Sequence, residues 1–213
     1  MMDLLSFFSS EPSLARRAGA QPLHSIRDFP DGAVGRIVGK AGYLGEDRLI
    51  APLTGRACAA WFVRVVGAEL AGSGHPPLEA CAAAPFALSD DTGLAIVHTA
   101  GLSLLLDTDV TEALGFSKQP PPRLVRFLRT RGKEGRRVMI DWRLSWQEGI
   151  LAEGQRVAVV GRGRREVDPD SPQGDYRHAA TRLVMERDRD DEDLVVSTFA
   201  GSLGGRPTTA QST

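Results

Sequence analysis

The stretch Arg137-Val138-Met139-Ile140-Asp141-Trp142-Arg143-Leu144-Ser145-Trp146 alternates without a break. Val138, Ile140, Trp142, Leu144 and Trp146 share one parity, and Arg137, Met139, Asp141, Arg143 and Ser145 share the other. A period of two sends the sets to opposite faces of a sheet, so 137–146 reads as a strand with one apolar face. Burying five large side chains at about 1.5–3 kcal/mol each gives roughly 8–15 kcal/mol gross. Fixing about ten backbone units at about 1–2 kcal/mol each costs a similar amount. Such a strand is unstable alone and needs a second apolar layer.

Runs elsewhere can supply that layer. Val34 to Val38 is bracketed by Gly32 and Gly39, and Ala59 to Val66 places Trp61, Val63 and Val65 on one face. Phe86–Leu88 and Leu94–Val97 flank Ser89-Asp90-Asp91-Thr92-Gly93, whose Asp and Gly favour a tight turn. Val157–Val160 runs into Gly161, and Arg182–Met185 and Leu194–Phe199 flank a very polar 186–193, which reads as a hairpin with a solvated loop. The glycines Gly35, Gly39, Gly154 and Gly161 fit turns or bulges at strand ends.

One helix interrupts the pattern. Pro120-Pro121-Pro122 is a stiff lead-in, and Leu124, Val125, Phe127 and Leu128 follow at helical spacing, predicting a helix over 122–131 that Gly132 ends. The fold class is therefore mainly β, a barrel-like or sandwich sheet with one amphipathic helix. Gly35-Arg36-Ile37-Val38-Gly39 and Gln155-Arg156-Val157-Ala158-Val159-Val160-Gly161 echo each other, as two OB-like lobes or a chance likeness would.

Residues 31–199 form the expected β-rich domain, preceded by an N-terminal extension over 1–30 with helical potential from Ser10 and Pro12. Residues 200–213 are small and polar and predict a disordered tail.

Charge and cysteine content limit the function classes. The 26 Lys and Arg nearly cancel the 27 Asp and Glu, for a formal net charge of −1. That balance argues against generic binding to nucleic acid or anionic membrane. Cys58 and Cys81 could form one disulfide or remain free thiols, and no cysteine zinc set can be built from two. The most apolar run, Leu94 to Leu106, is too short to span a bilayer and is broken by His98, Thr99 and Ser103. Leu4, Leu5, Phe7 and Phe8 follow no Lys or Arg, which makes a poor secretion signal, so a cytoplasmic location is expected.

No motif announces catalysis. Ser73 and Ser103 lack a nucleophile-elbow frame, and neither the Gly132–Gly135 nor the Gly161–Gly163 stretch is a phosphate loop. His24, His75, His98 and His178 are scattered, with His98 read as half-buried on a strand. The acidic run 188–193 lacks the spacing of a calcium loop. No metal, cofactor or catalytic residue is assigned. Arg156, Arg162, Arg164 and Arg165 could track a nucleic-acid backbone, but Trp142 and Trp146 share the apolar parity and read as core, not stacking platforms.

Four stretches in order resemble one family: Gly35–Gly39, then Ala51-Pro52-Leu53-Thr54-Gly55-Arg56-Ala57-Cys58, then Phe86–Gly93, then Glu148–Gly161, with Leu194–Thr198 as a closing fit. Together they resemble the GIDE-type or "beside a membrane" domain of the mitochondrial outer-membrane ubiquitin ligase family and of bacterial proteins, over about residues 34–198. The resemblance implies a β-rich domain next to a membrane that binds or senses a partner. Ubiquitin transfer in that family belongs to a RING finger, which two cysteines cannot build. The expected function is thus a non-enzymatic module that binds a protein or a membrane-associated complex, and the alternative is a nucleic-acid-binding OB-like barrel. Arg56, Asp90 and Glu148 are the charged members of three separate motifs. Either two of them pair in a partly buried bridge, or all three are solvated at turns.

Overall fold

The computed structural model describes residues 11–46, 48–67, 77–114, 119–131, 144–168, 181–187 and 194–204. Along the chain these form α1 (Glu11–Ala20), β1 (Val34–Tyr43), β2 (Leu49–Ile50), β3 (Ala57–Cys58), β4 (Ala60–Val66) and β5 (Leu78–Ala83). There follow β6 (Phe86–Asp90), β7 (Gly93–Val97), β8 (Leu102–Leu105), β9 (Val110–Ala113) and α2 (Pro122–Thr130). The last are β10 (Ser145–Leu151), β11 (Arg156–Val167), β12 (Thr181–Glu186), β13 (Leu194–Ser197) and α3 (Ala200–Leu203).

Alternation on five of these strands closes a barrel. Its round is β1-β6-β7-β12-β11, and β11 pairs back onto β1 from Val34↔Arg162 to Lys40↔Arg156. Only β7 and β12 run parallel; the other neighbours are antiparallel. Counted in chain order the strands go first, second, third, fifth, fourth, the connectivity of an OB-type Greek-key barrel. Ile37, Ala41, Phe86, Leu88, Ala95, Val97, Val157, Val159, Leu183 and Met185 point inward and are buried together. The two segments that echo each other in sequence are thus the paired strands that close one barrel. The second body among the described residues is an open sheet.

The expected hairpin of 182–185 with 194–199 does not form. β12 and β13 instead lie end to end along β11, with Glu186 opposite Arg162 and Val195 opposite Val160. β11 is long enough, at 12 residues, to take two short partners in series. Gly161 marks the point where the chain leaves and returns: a Cβ there would sit 2.8 Å from both the Glu186 carbonyl oxygen and Leu194 Cδ1. Gly35, Gly39 and Gly161 all lie inside strands, and of the four motif glycines only Gly154 occupies a turn.

The second sheet has the order β5-β4-β10-β9, all antiparallel. One face carries Trp61, Val63, Val65, Trp146 and Ile150, and α2 covers it with Leu124, Phe127 and Leu128. Ala60, Phe62 and Leu151 on the same strands belong to the barrel core, so β4 and β10 serve both cores. Leu144 and Trp146 are buried as their parity predicts, while Arg137 to Arg143 lie outside the described residues.

The ends of the described chain are more integrated than their composition suggests. Ile26 and Phe29 of the supposed extension are buried in the barrel core, and α1 packs with α3 over Leu105, Val160 and Val195. The expected disordered tail begins with α3, whose Ser202 is fully buried and whose Ser202 carbonyl accepts a hydrogen bond from the buried Arg36 guanidinium. That bond fixes a segment whose small side chains gave no sign of order.

Candidate functional site

Glu148 continues the inward parity of Leu144 and Trp146 on β10, opposite Val63 of β4, and is completely buried. A carboxylate taken from water needs hydrogen bonds on its oxygens. Successive amides of the 51–55 loop provide them: Leu53 N–H donates to Oε1 at 2.7 Å and Thr54 N–H donates to Oε2 at 2.9 Å. The loop can turn its amides inward because Gly55 takes φ +74° and its N–H donates to the Ala51 carbonyl. Pro52 leads into this turn.

Around the clamp lie three further groups. Arg56 Nη2 donates to Asp109 Oδ2 at 2.7 Å, with both side chains partly exposed, and Asp109 N–H donates to the Glu148 carbonyl oxygen. The buried Cys58 thiol rests against the Leu49 carbonyl oxygen, and burial together with the Glu148 charge pushes it up to about 11. Cys58 and Cys81 are free thiols, and burial raises Cys81 as well.

Outside the clamp, the same loop forms one wall of a groove of about 330 Å³, with Ile50, Ala51 and Pro52 facing Arg123, Arg126, Phe127 and Thr130 of α2. The Arg123 guanidinium lies over Gly55, where a Cβ would fall 1.6 Å from Nη1. Phe127 meets Trp61 edge-on at 6.4 Å, and Arg131 lies over its ring at 5.5 Å from the centroid. Thr130 Oγ1 donates to the Phe127 carbonyl, which occupies its hydroxyl proton.

The remaining sequence candidates lie elsewhere. Asp90 closes the β6–β7 hairpin: Oδ1 accepts from Thr92 N–H, Thr92 Oγ1–H and Gly93 N–H, and Oδ2 accepts from Ile26 N–H at 2.9 Å. Burial works to raise its carboxyl, but these bonds outweigh burial and hold it below its ordinary value. Arg56, Asp90 and Glu148 therefore each find a separate partner, and none bridges to another. Arg162 donates to the Gly32 carbonyl, Arg165 Nη2 to the Ile26 and Arg27 carbonyls at 2.6 Å each, and Arg164 pairs with Glu166 and Glu186. This basic stretch is spent on holding the 26–32 segment and its own sheet.

His98 follows β7 and is exposed, not half-buried. Among the described residues no three His, Cys, Asp or Glu side chains converge as a metal site, and no helix is long and apolar enough to cross a membrane.

Sequence reasoning missed Arg123, Arg126 and Ile50. The arginines are visible on the polar face of the helix, but nothing local says which loop that face meets. The four family-like stretches map to β1, the 51–58 loop, the β6–β7 hairpin and the β10–β11 unit, so two of the four meet at Glu148. No protein-family model, no curated protein and no solved structure matches the chain.

Proposed function

We propose that this chain is a non-enzymatic interaction module that binds a protein partner through the groove between the 50–55 loop and α2. The observation that carries the reading is the groove itself, apolar in its floor and flanked by Arg123 and Arg126. Glu148, the one fully buried carboxylate among the described residues, has both oxygens turned to loop amides. It supports the wall of the groove and is not exposed as a base. The groove lining offers no carboxylate, imidazole or thiol, the groups that general acid–base or nucleophilic chemistry uses. The resemblance to GIDE-type domains points in the same direction, toward recognition without chemistry.

Affinity capture from native cells tests this, comparing the wild-type chain with an Arg123→Glu/Arg126→Glu variant of unchanged melting temperature. A protein that the variant loses, and that binds the purified wild-type chain directly, is the expected result. Recovery of the same partners by both chains would overturn it.

The OB-type strand order favours a second reading, single-stranded nucleic-acid binding on the face of β6 and β7. The outward positions there are Ala87, Ser89, Leu94 and Ile96, with neither the aromatic nor the basic side chains such platforms use. Fluorescence anisotropy with a labelled single strand at low and high salt separates the readings, because phosphate-driven binding weakens steeply with salt.

A further inference from the structure

We infer that the groove beside α2 accepts a linear acidic peptide segment, one that sets a large apolar side chain into the recess and a carboxylate against Arg123 and Arg126. The inference rests on the proposed function and names the chemistry of the partner.

Charge complementarity carries it. α2 and its cap contain Arg123, Arg126, Arg129 and Arg131 and no acidic residue. Arg131 is occupied by the Phe127 ring. Arg123 and Arg126 are exposed at the groove and have no hydrogen bond or ion pair among the described residues. They stand one helical turn apart, and side chains at that spacing are neighbours on a helix face. The acids on the loop side are already engaged, Glu148 by the Leu53 and Thr54 amides and Asp109 by Arg56. An incoming carboxylate therefore meets two uncompensated guanidinium groups, whose planar donors suit it well.

The recess selects the second element. Ile50 is 59% exposed and, with Ala51, Pro52 and Phe127, gives the groove of about 330 Å³ its apolar lining. That volume lies at the small end of ligand pockets, which span roughly 300–1,000 Å³, and suits a side chain or two better than a large cofactor. The concave shape argues against a bilayer, which cannot reach a recessed floor. Phe127 has an edge contact with Trp61 and a guanidinium over its face, leaving no free ring for a base to stack on.

The test uses the full chain and fluorescein-labelled decapeptides in which Asp and Glu alternate with Leu and Phe. Controls are the Asn/Gln isostere, a version with Ala in place of Leu and Phe, phosphatidylserine vesicles and a labelled single-stranded DNA. The acidic apolar peptide is expected to bind at least tenfold more tightly than either altered peptide, with affinity falling as salt rises. Arg123→Glu/Arg126→Glu, and separately Arg126→Gln, should each weaken it at least tenfold while leaving the circular dichroism spectrum unchanged. Equal binding of the isostere, or binding of vesicles or DNA in preference to every peptide, overturns the inference. If the acidic peptide fails while the charge-reversed variant still loses a captured partner, the groove stands as a protein site and only its acidic specificity falls. If captured partners persist in that variant, the proposed function falls too.

Discussion

Glu148 and Arg56 come from two separate motifs and have very different structural weight. Glu148→Gln keeps the shape but turns an NH2 group toward an amide N–H, leaving a buried donor without an acceptor, and should cost about 1–3 kcal/mol. In a chain of this length that lowers the melting temperature by roughly 2–4 °C per kcal/mol. Arg56→Ala removes a partly exposed ion pair and an exposed hydrogen bond to Thr54 Oγ1, and should cost less than about 1 kcal/mol. Equal losses from the two in thermal denaturation would contradict this ranking. Asp90 makes a pH prediction. Its folded carboxyl is held below the ordinary value of about 3.9, so its stabilisation is complete above that value and is lost as pH falls through the lower folded one. Wild type should lose stability in acid more steeply than Asp90→Asn, which has no such proton to take up. Parallel acid titrations of the two, followed by circular dichroism, check this.

At the scale of elements, β11 and α2 carry the arrangement. β11 takes β1 on one side and β12 and β13 in series on the other, and Gly161 sits at their junction. Gly161→Ala places a methyl against the Glu186 carbonyl, a backbone atom that cannot swing away, so it should lower stability in denaturant unfolding well beyond a surface Gly→Ala change. Phe127→Ala empties the contact between α2 and Trp61 and should cost about 3–5 kcal/mol by the same measurement. Much of this was legible in sequence: the β7 and α2 spans, the Asp90 turn and the apolar face of Trp61, Val63 and Val65. What was hidden has physical causes. Gln147-Glu148-Gly149 looks like a strand end, because a carboxylate on the apolar parity is unfavourable until a distant loop turns two amides toward it. The pairing of β12 and β13 with β11 was hidden because strand identity does not specify the partner.

For the whole molecule, the barrel and the second sheet share β4 and β10, whose alternate side chains enter different cores. Neither layer can lose its packing without exposing the other. The described residues should therefore unfold as one cooperative unit, with tryptophan emission, to which Trp61 and Trp146 contribute, changing together with far-ultraviolet circular dichroism. Separate midpoints would mean two independent bodies. The ends take part as well: Arg36 reaches from β1 to Ser202 and joins α3 to the barrel wall. The large gaps in sequence between paired strands, such as Val34 with Arg162, explain why the closed round could not be read from periodicity alone. Local alternation fixes which side chains face inward, but closure depends on contacts between remote segments.

All of these scales meet in the claim that Glu148 builds the groove wall by clamping the 51–55 loop. Amide hydrogen exchange of Leu53 and Thr54, measured in the wild type and in Glu148→Gln under native conditions, tests that claim most directly. Both amides should be protected in the wild type and should exchange markedly faster in the variant, while the barrel amides of β1 and β11 remain protected. Rapid exchange of Leu53 and Thr54 in the wild type, or unchanged protection in the variant, would contradict it.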